Sequence, residues 1–138
     1  MALLLIGLLA AAIGAPVSSE VRQAPKSSIC EINKAGPRLN GMAVHLQAIL
    51  VVDSLGGELR DKRCPSVTLG FADDGNAERT DLYSSFSNSF DRDLFTRGRA
   101  RQEIELHGVV ESPGAAGAGR PYRSVIKLVK IVRFSRIP

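Results

Sequence analysis

The strongest structural signal in the chain lies at residues 41–52, which read GMAVHLQAILVV. In the first half, apolar side chains occupy every second position, with Ala43, His45 and Gln47 between them. In the second half, both sets of positions are apolar. A period of two predicts a long strand that exposes one face at its start and is covered on both faces at its end.

Four more segments show the alternation that is typical of strands. They are a short run that begins at Glu58, then residues 66–71, 102–110 and 122–134. In the last segment the apolar positions shift frame near Val129, which predicts a β-bulge or a bend. Gly41 and Gly108 would allow the long first and fourth strands to curve tightly.

Residues 80–95 instead carry an apolar side chain at every fourth position, and these positions are Leu82, Phe86, Phe90 and Leu94. This spacing predicts a helix whose aromatic face packs on the core. Thr80 or Asp81 would cap its start, and Arg97-Gly98 would end it.

The predicted elements therefore run β-β-β-α-β-β, with one full helix between the third and fourth strands. This order predicts a mainly β protein, a five-stranded barrel like the oligonucleotide/oligosaccharide-binding (OB) fold. The barrel domain would span residues 39–138. Residues 20–38 would form a polar lead-in with one helical turn at residues 29–32, which Ser28 caps and Gly36-Pro37 stops.

Residues 1–19 differ from the rest of the chain, because they carry no charged side chain and are continuously apolar from position 3 to position 13. Such a core suits a signal peptide and is well short of the roughly 20 residues that span a bilayer. Cleavage after Ser19 would follow the small-residue rule. A retained membrane anchor and a buried N-terminal helix are the alternatives. The favoured interpretation is an exported protein, periplasmic or extracellular.

Cys30 and Cys64 are the two cysteines of the chain. Export would place them in an oxidising compartment, so a disulfide between them is predicted. It would close a loop of about 35 residues and contribute about 3–4 kcal/mol of stability from chain entropy. The chain has no Cys-x-x-Cys pair, and His45 and His107 do not have the spacing of metal ligands. No metal or other cofactor is expected.

The formal net charge of +4 is distributed unevenly. From residue 96 onward, nine basic residues face three acidic ones. A basic half of this kind can attract phosphates, an anionic polysaccharide or an acidic protein, or can simply be a solvated face of strands. The residues proposed for contact with an anion or a partner are Arg120, Arg123, Lys127 and Lys130.

No catalytic residue is predicted, because the chain lacks a Gly-x-Ser-x-Gly elbow, a P-loop and a dinucleotide fingerprint. His45 and His107 fall on strands that pair in an OB-like barrel, so we expect the two rings to be neighbours, without a function. Single-strand nucleic-acid binders present aromatic side chains on the second and third strands. Here those strands offer only Phe71, which the alternation assigns to the core, and nucleic acid is therefore disfavoured.

Several short motifs resemble a family of small exported bacterial proteins of unknown function with an OB-like barrel. They are SICEI at 28–32, LNGMAVHL at 39–46, LRDKRCP at 59–65 and IELHGV at 104–109. They resemble the family's Cys-Glu-Leu-Leu turn, its Gly-x-x-Val-x-Val strand, its Leu-x-Asp-x-x-Cys-Pro hairpin end and its second long strand. Met42 stands where Lys is usual and Ala48 where Gly is common, so the first strand would curve less. The resemblance implies the fold, the disulfide and export, and transfers no catalytic residue.

Two functions follow as expectations. The first is a non-catalytic binding module of the cell envelope whose partner is a protein or an anionic glycan. The alternative is a protein that binds single-stranded nucleic acid or another polyanion through the same basic residues.

Overall fold

The computed structural model describes residue 24, residues 26–114 and residues 122–138. The strands are β1 (Lys26–Ser27), β2 (Ala43–Asp53), β3 (Gly56–Arg60), β4 (Thr68–Ala72), β5 (Ala100–Glu111) and β6 (Val125–Arg136). The helices are α1 (Ile29–Ala35) and α2 (Asp81–Arg97), and a 3₁₀ turn at Gly36–Leu39 follows α1. No helix within the described ranges is long and apolar enough to cross a bilayer. The predicted signal peptide, residues 1–19, lies outside those ranges.

A six-stranded mixed sheet closes five of its strands into a ring. β2 pairs antiparallel with β3 on one side and with β5 on the other, where the pairing runs from Ala43–Val109 to Val52–Ala100. β3 continues antiparallel to β4, β4 pairs in parallel with β6, and β6 returns antiparallel to β5. The long strand predicted at residues 41–52 is thus the element from which the ring is built in both directions.

Within the described residues there are two helices and six strands, where one full helix and five strands were predicted. The segment predicted as a single turn is a seven-residue helix, because the Ser28 side chain accepts a hydrogen bond from the Glu31 backbone N–H and Gly36 ends the helix at a φ of 57°. The additional strand, β1, comes from the polar lead-in and pairs in parallel with His45 and Leu46 of β2.

β6 is irregular at two points along β5. Arg133 lies opposite Glu105, but the next pair is Ile131 with Leu106, so Val132 is an extra residue. The register shifts again after the pair of His107 and Lys130, because the next pair is Gly108 with Leu128. Val129 is therefore left without a partner in β5. The bulge predicted near Val129 is confirmed, and a second one occurs at Val132.

The core fills the inside of the ring, and α2 packs against its open side. Fully buried side chains of the strands include Leu46, Leu50, Leu59, Leu69, Ile104 and Leu106. α2 begins after Thr80, whose hydroxyl accepts from the Tyr83 N–H, and ends at Gly98 in the left-handed conformation, as predicted. Its aromatic face is buried, and the Phe86 ring lies 5.7 Å from that of Phe134 in β6.

The predicted disulfide between Cys30 and Cys64 is confirmed, and it joins α1 to the segment that follows β3. The two Cα atoms are 5.9 Å apart, although the residues are 34 positions apart in sequence. The bond therefore ties the lead-in segment to the ring, and it is consistent with an oxidising compartment.

Candidate functional site

The outer face of β2, β5 and β6 collects most of the polar side chains that the sequence analysis considered. His45 and His107 are cross-strand partners in the β2–β5 pairing. Their ring centroids are 4.4 Å apart, and the ring planes are inclined by 35°. The expectation that the two histidines are neighbours is confirmed.

Glu105 is the carboxylate at the centre of this face, and only 11% of its side chain is exposed. Its Oε1 lies 3.1 Å from Lys26 Nζ and 3.2 Å from His45 Nε2, while its Oε2 lies 3.6 Å from an Nη of Arg133. The hydrogen bond from Lys26, helped by His45 and Arg133 and opposed by burial, holds the pKa of Glu105 below its usual 4.5. The carboxylate is therefore ionised at neutral pH and is approached by groups from three other strands.

Three cations of β6 stand on the same outer face, and we call Lys127, Lys130 and Arg133 the β6 basic row. In a regular strand, residues three positions apart point to opposite faces. Here each bulge inserts one extra residue, so a spacing of three returns every cation to the outer face. The row accordingly lies opposite Val109, His107 and Glu105 of β5.

The two lysines of the row have acidic neighbours at long distances. Lys127 Nζ is 3.6 Å from a Glu111 oxygen, and Lys130 Nζ is 3.8 Å from a Glu78 oxygen. These lysine side chains are 43% and 30% exposed. Pairs of this exposure contribute about 0–1 kcal/mol, so an anionic ligand can replace the carboxylates at little cost.

Arg123 lies apart from the row. It is exposed, and its guanidinium group packs against Gly36 at the end of α1, with Nη2 3.0 Å from the place that a Cβ would occupy. Arg120 lies outside the described residues. The structure thus brings together Lys127 and Lys130 of the four residues predicted for contact, and it adds Arg133, which sequence reasoning missed. The repeated spacing of three was the available signal.

Three shallow surface pockets lie next to one another on this face, and Gln47 lines each of them. One of about 190 Å³ extends to Arg60 and Arg63, and one of about 210 Å³ reaches Lys26 and Glu31. Another, of about 170 Å³, is bordered by Arg133 and Glu103. The surface therefore offers open, charged depressions rather than a deep apolar pocket.

The described side chains of this face are mostly charged, and their arrangement bears on which ligands they could hold. Among the described residues, no group of His, Cys, Asp and Glu is arranged to hold a metal ion. The hydrogen-bond partner of His45 within the described ranges is Glu105, so no hydroxyl or thiol nucleophile is set beside this ring. The cations from β1 and β6 suit an anionic ligand.

The β3–β4 side of the ring differs from that of a single-strand nucleic-acid binder. Phe71 is half-buried and packs against the core, as the alternation predicted. Glu58 of β3 is nearly buried and accepts a hydrogen bond of 2.6 Å from Arg60. The described part of β3 and β4 therefore presents no exposed aromatic ring for base stacking.

Comparisons with protein-family models, with curated proteins and with solved structures found no match. The resemblance to the family of small exported bacterial proteins therefore stays a prediction.

Proposed function

We propose that this protein is an exported, non-catalytic binding module of the cell envelope that holds an anionic partner on the outer face of β2, β5 and β6. The partner is an anionic glycan or an acidic protein segment. One observation carries the proposal: two bulges align Lys127, Lys130 and Arg133 on one face, next to Lys26 and the two histidines.

The fold supports a binding role of this kind. A five-strand ring with a helix between its third and fourth strands is the arrangement expected of an OB-like barrel, and it supports our proposal that the chain belongs to that class. Barrels of this class bind oligosaccharides and oligonucleotides through their strands and loops. The disulfide supports export, as do the apolar residues 3–13, which we assign to a cleaved signal peptide.

Direct binding measurements on the β6 basic row test the proposal. Calorimetry with polygalacturonate and with polyglutamate, each at low and high salt, should show binding that weakens as salt rises. The double variant Lys127→Gln with Lys130→Gln should lose about fivefold in affinity per cation, which corresponds to about 1 kcal/mol each. The matched control is Lys34→Gln on α1 with Arg38→Gln in the 3₁₀ turn that follows, which removes the same charge from a different surface.

Two results would contradict the proposal. Equal losses in the two double variants would show that the binding follows net charge and not the row. Tighter binding of short single-stranded oligonucleotides than of either polyanion would favour the alternative, a nucleic-acid binder. Phe71 argues against that outcome, because its half-buried ring packs against the core.

A further inference from the structure

One end of the ring carries two of the large apolar side chains that are exposed. Phe95, in the last turn of α2, is 93% exposed, and Leu55, in the β2–β3 turn, is 49% exposed. They share this end because Val52 pairs with Ala100 at the start of β5. After Val52, β2 ends at Asp53 and the turn that follows contains Leu55. Phe95 lies five residues before Ala100, at the end of α2.

Four arginines flank Phe95 along the chain, and all of them are exposed: Arg92, Arg97, Arg99 and Arg101. Two of them, Arg92 and Arg97, act through their charge on Asp93 and help to lower the pKa of its carboxyl. The buried acid of this stretch, Asp93, is already paired with Arg136. With two aspartates against four arginines, residues 91–101 have a net charge of +2.

This combination has a specific physical consequence. A single exposed apolar side chain is common on protein surfaces and indicates nothing by itself. An exposed aromatic ring among exposed arginines is different, because an aromatic ring and a guanidinium group both suit the interface of a bilayer. The ring enters the boundary between headgroups and acyl chains, and the guanidinium groups contact lipid phosphates.

We propose that this end of the ring docks on a bilayer that contains anionic lipid. We call it the α2–β5 tip, and it consists of Leu55, Phe95 and the four arginines at positions 92, 97, 99 and 101. Phe95 enters the interface with Leu55 beside it. The tip is separate from the β6 basic row, so docking on lipid goes beyond the proposed binding of a glycan or protein, and either proposal can fail without the other.

The chain contains no tryptophan, so a Phe95→Trp substitution supplies a single fluorescent reporter at the tip. In the full chain, its emission should shift to the blue when vesicles that contain phosphatidylglycerol are added, and not with vesicles of phosphatidylcholine alone. The matched control is Met42→Trp, because Met42 is 52% exposed and precedes the Ala43–Val109 pair at the opposite end of β2. Its emission should not shift. Both variants carry the same residues 1–19, so a difference between them is specific to the position.

Charge variants in the Phe95→Trp background complete the test. Arg97→Gln with Arg99→Gln should weaken vesicle binding about fivefold per arginine. Lys34→Gln with Arg38→Gln, which removes the same charge from α1 and the 3₁₀ turn after it, should leave vesicle binding unchanged. The proposal is overturned by no shift at position 95, by an equal shift at position 42, or by an equal shift with phosphatidylcholine. The same shift with soluble polyglutamate would assign the tip to an acidic protein instead and would also overturn it.

Discussion

The carboxylate of Asp93 on α2 is paired with the guanidinium group of Arg136 near the end of β6, where Nε donates to Oδ2 at 3.1 Å. Asp93 is buried, whereas Arg136 is partly exposed. The pair joins the second half of the helix to the last strand of the ring. It also adds a polar connection to the packing of Phe86 against Phe134.

The pair predicts a component of acid sensitivity. The hydrogen bond from Arg136 holds the pKa of Asp93 below its usual 3.8, although burial acts in the opposite direction. A folded-state pKa below the unfolded one gives stability that is present above pH 3.8 and is lost as the pH falls toward the folded pKa. We therefore expect the melting temperature of the protein to decrease when the pH is lowered below 3.8. The Asp93→Asn variant should have a lower melting temperature at pH 7, and its melting temperature should decrease less in acid. If the melting temperatures of the two proteins decreased by the same amount as the pH was lowered, this prediction would be refuted.

Glu105→Gln tests the central carboxylate of the outer face. Removing one negative charge among Lys26, His45 and Arg133 leaves the cations less compensated, so thermal stability at pH 7 should decrease. The same change should raise the affinity for polygalacturonate about fivefold, because one repulsive charge of about 1 kcal/mol is removed. Calorimetry and thermal unfolding measure the two effects. Glu103→Gln on the same strand is the control. An equal gain in affinity for polygalacturonate in this variant would show that the effect is not specific to position 105.

The Cys30–Cys64 bond should stabilise the fold chiefly by restricting the unfolded chain. With a sequence separation of 34 between the cysteines, loss of the bond should cost about 3–4 kcal/mol. Urea denaturation of the protein with and without reductant measures this value, and the Cys30→Ser with Cys64→Ser variant repeats the comparison without a redox reagent. A mass increase of two protons on reduction is the control for the bond. An unchanged urea midpoint would contradict the prediction.

At Gly108 of β5, the backbone and side chains of the irregular β6 leave no room for a Cβ. A Cβ at this position would stand 2.6 Å from Ile126 Cγ2 and 2.8 Å from the Lys127 carbonyl oxygen. Gly108→Ala should therefore destabilise the protein by about 1–3 kcal/mol through overpacking, as measured by urea denaturation. Ser135→Ala, at an exposed position of β6, is the control and should change stability by about 0.5 kcal/mol or less. A fully stable Gly108→Ala protein would show that β6 moves away without cost.

The long elements could be predicted because their signal is contained in a few neighbouring residues. Alternation over residues 41–52 and 102–110 identified β2 and β5, and the period of four at residues 80–95 identified α2. The caps of the helices were equally local, since Thr80 bonds to the N–H of Tyr83 only three residues away. Even the bulge at Val129 was visible as a slip in the apolar frame.

The candidate site could be predicted only in part, because it is assembled from strands that are distant in sequence. Lys26 lies on a two-residue strand that has no periodic pattern, and it reaches Glu105 only through the parallel β1–β2 pairing. Arg133 joins Lys127 and Lys130 only because a second bulge lies at Val132. The exposure of Phe95 depends on which side of α2 the ring covers.

The amino-acid sequence by itself determined the order of the long strands and of α2, the single disulfide open to two cysteines and the basic character of the second half of the chain. These properties follow from local periodicity and composition, which need no knowledge of distant contacts. Only the tertiary structure decided which cations share a face, which carboxylates lie beside them and which apolar side chains stay outside the core. Those outcomes depend on strand register, and one extra residue in a strand moves every later side chain to the other face.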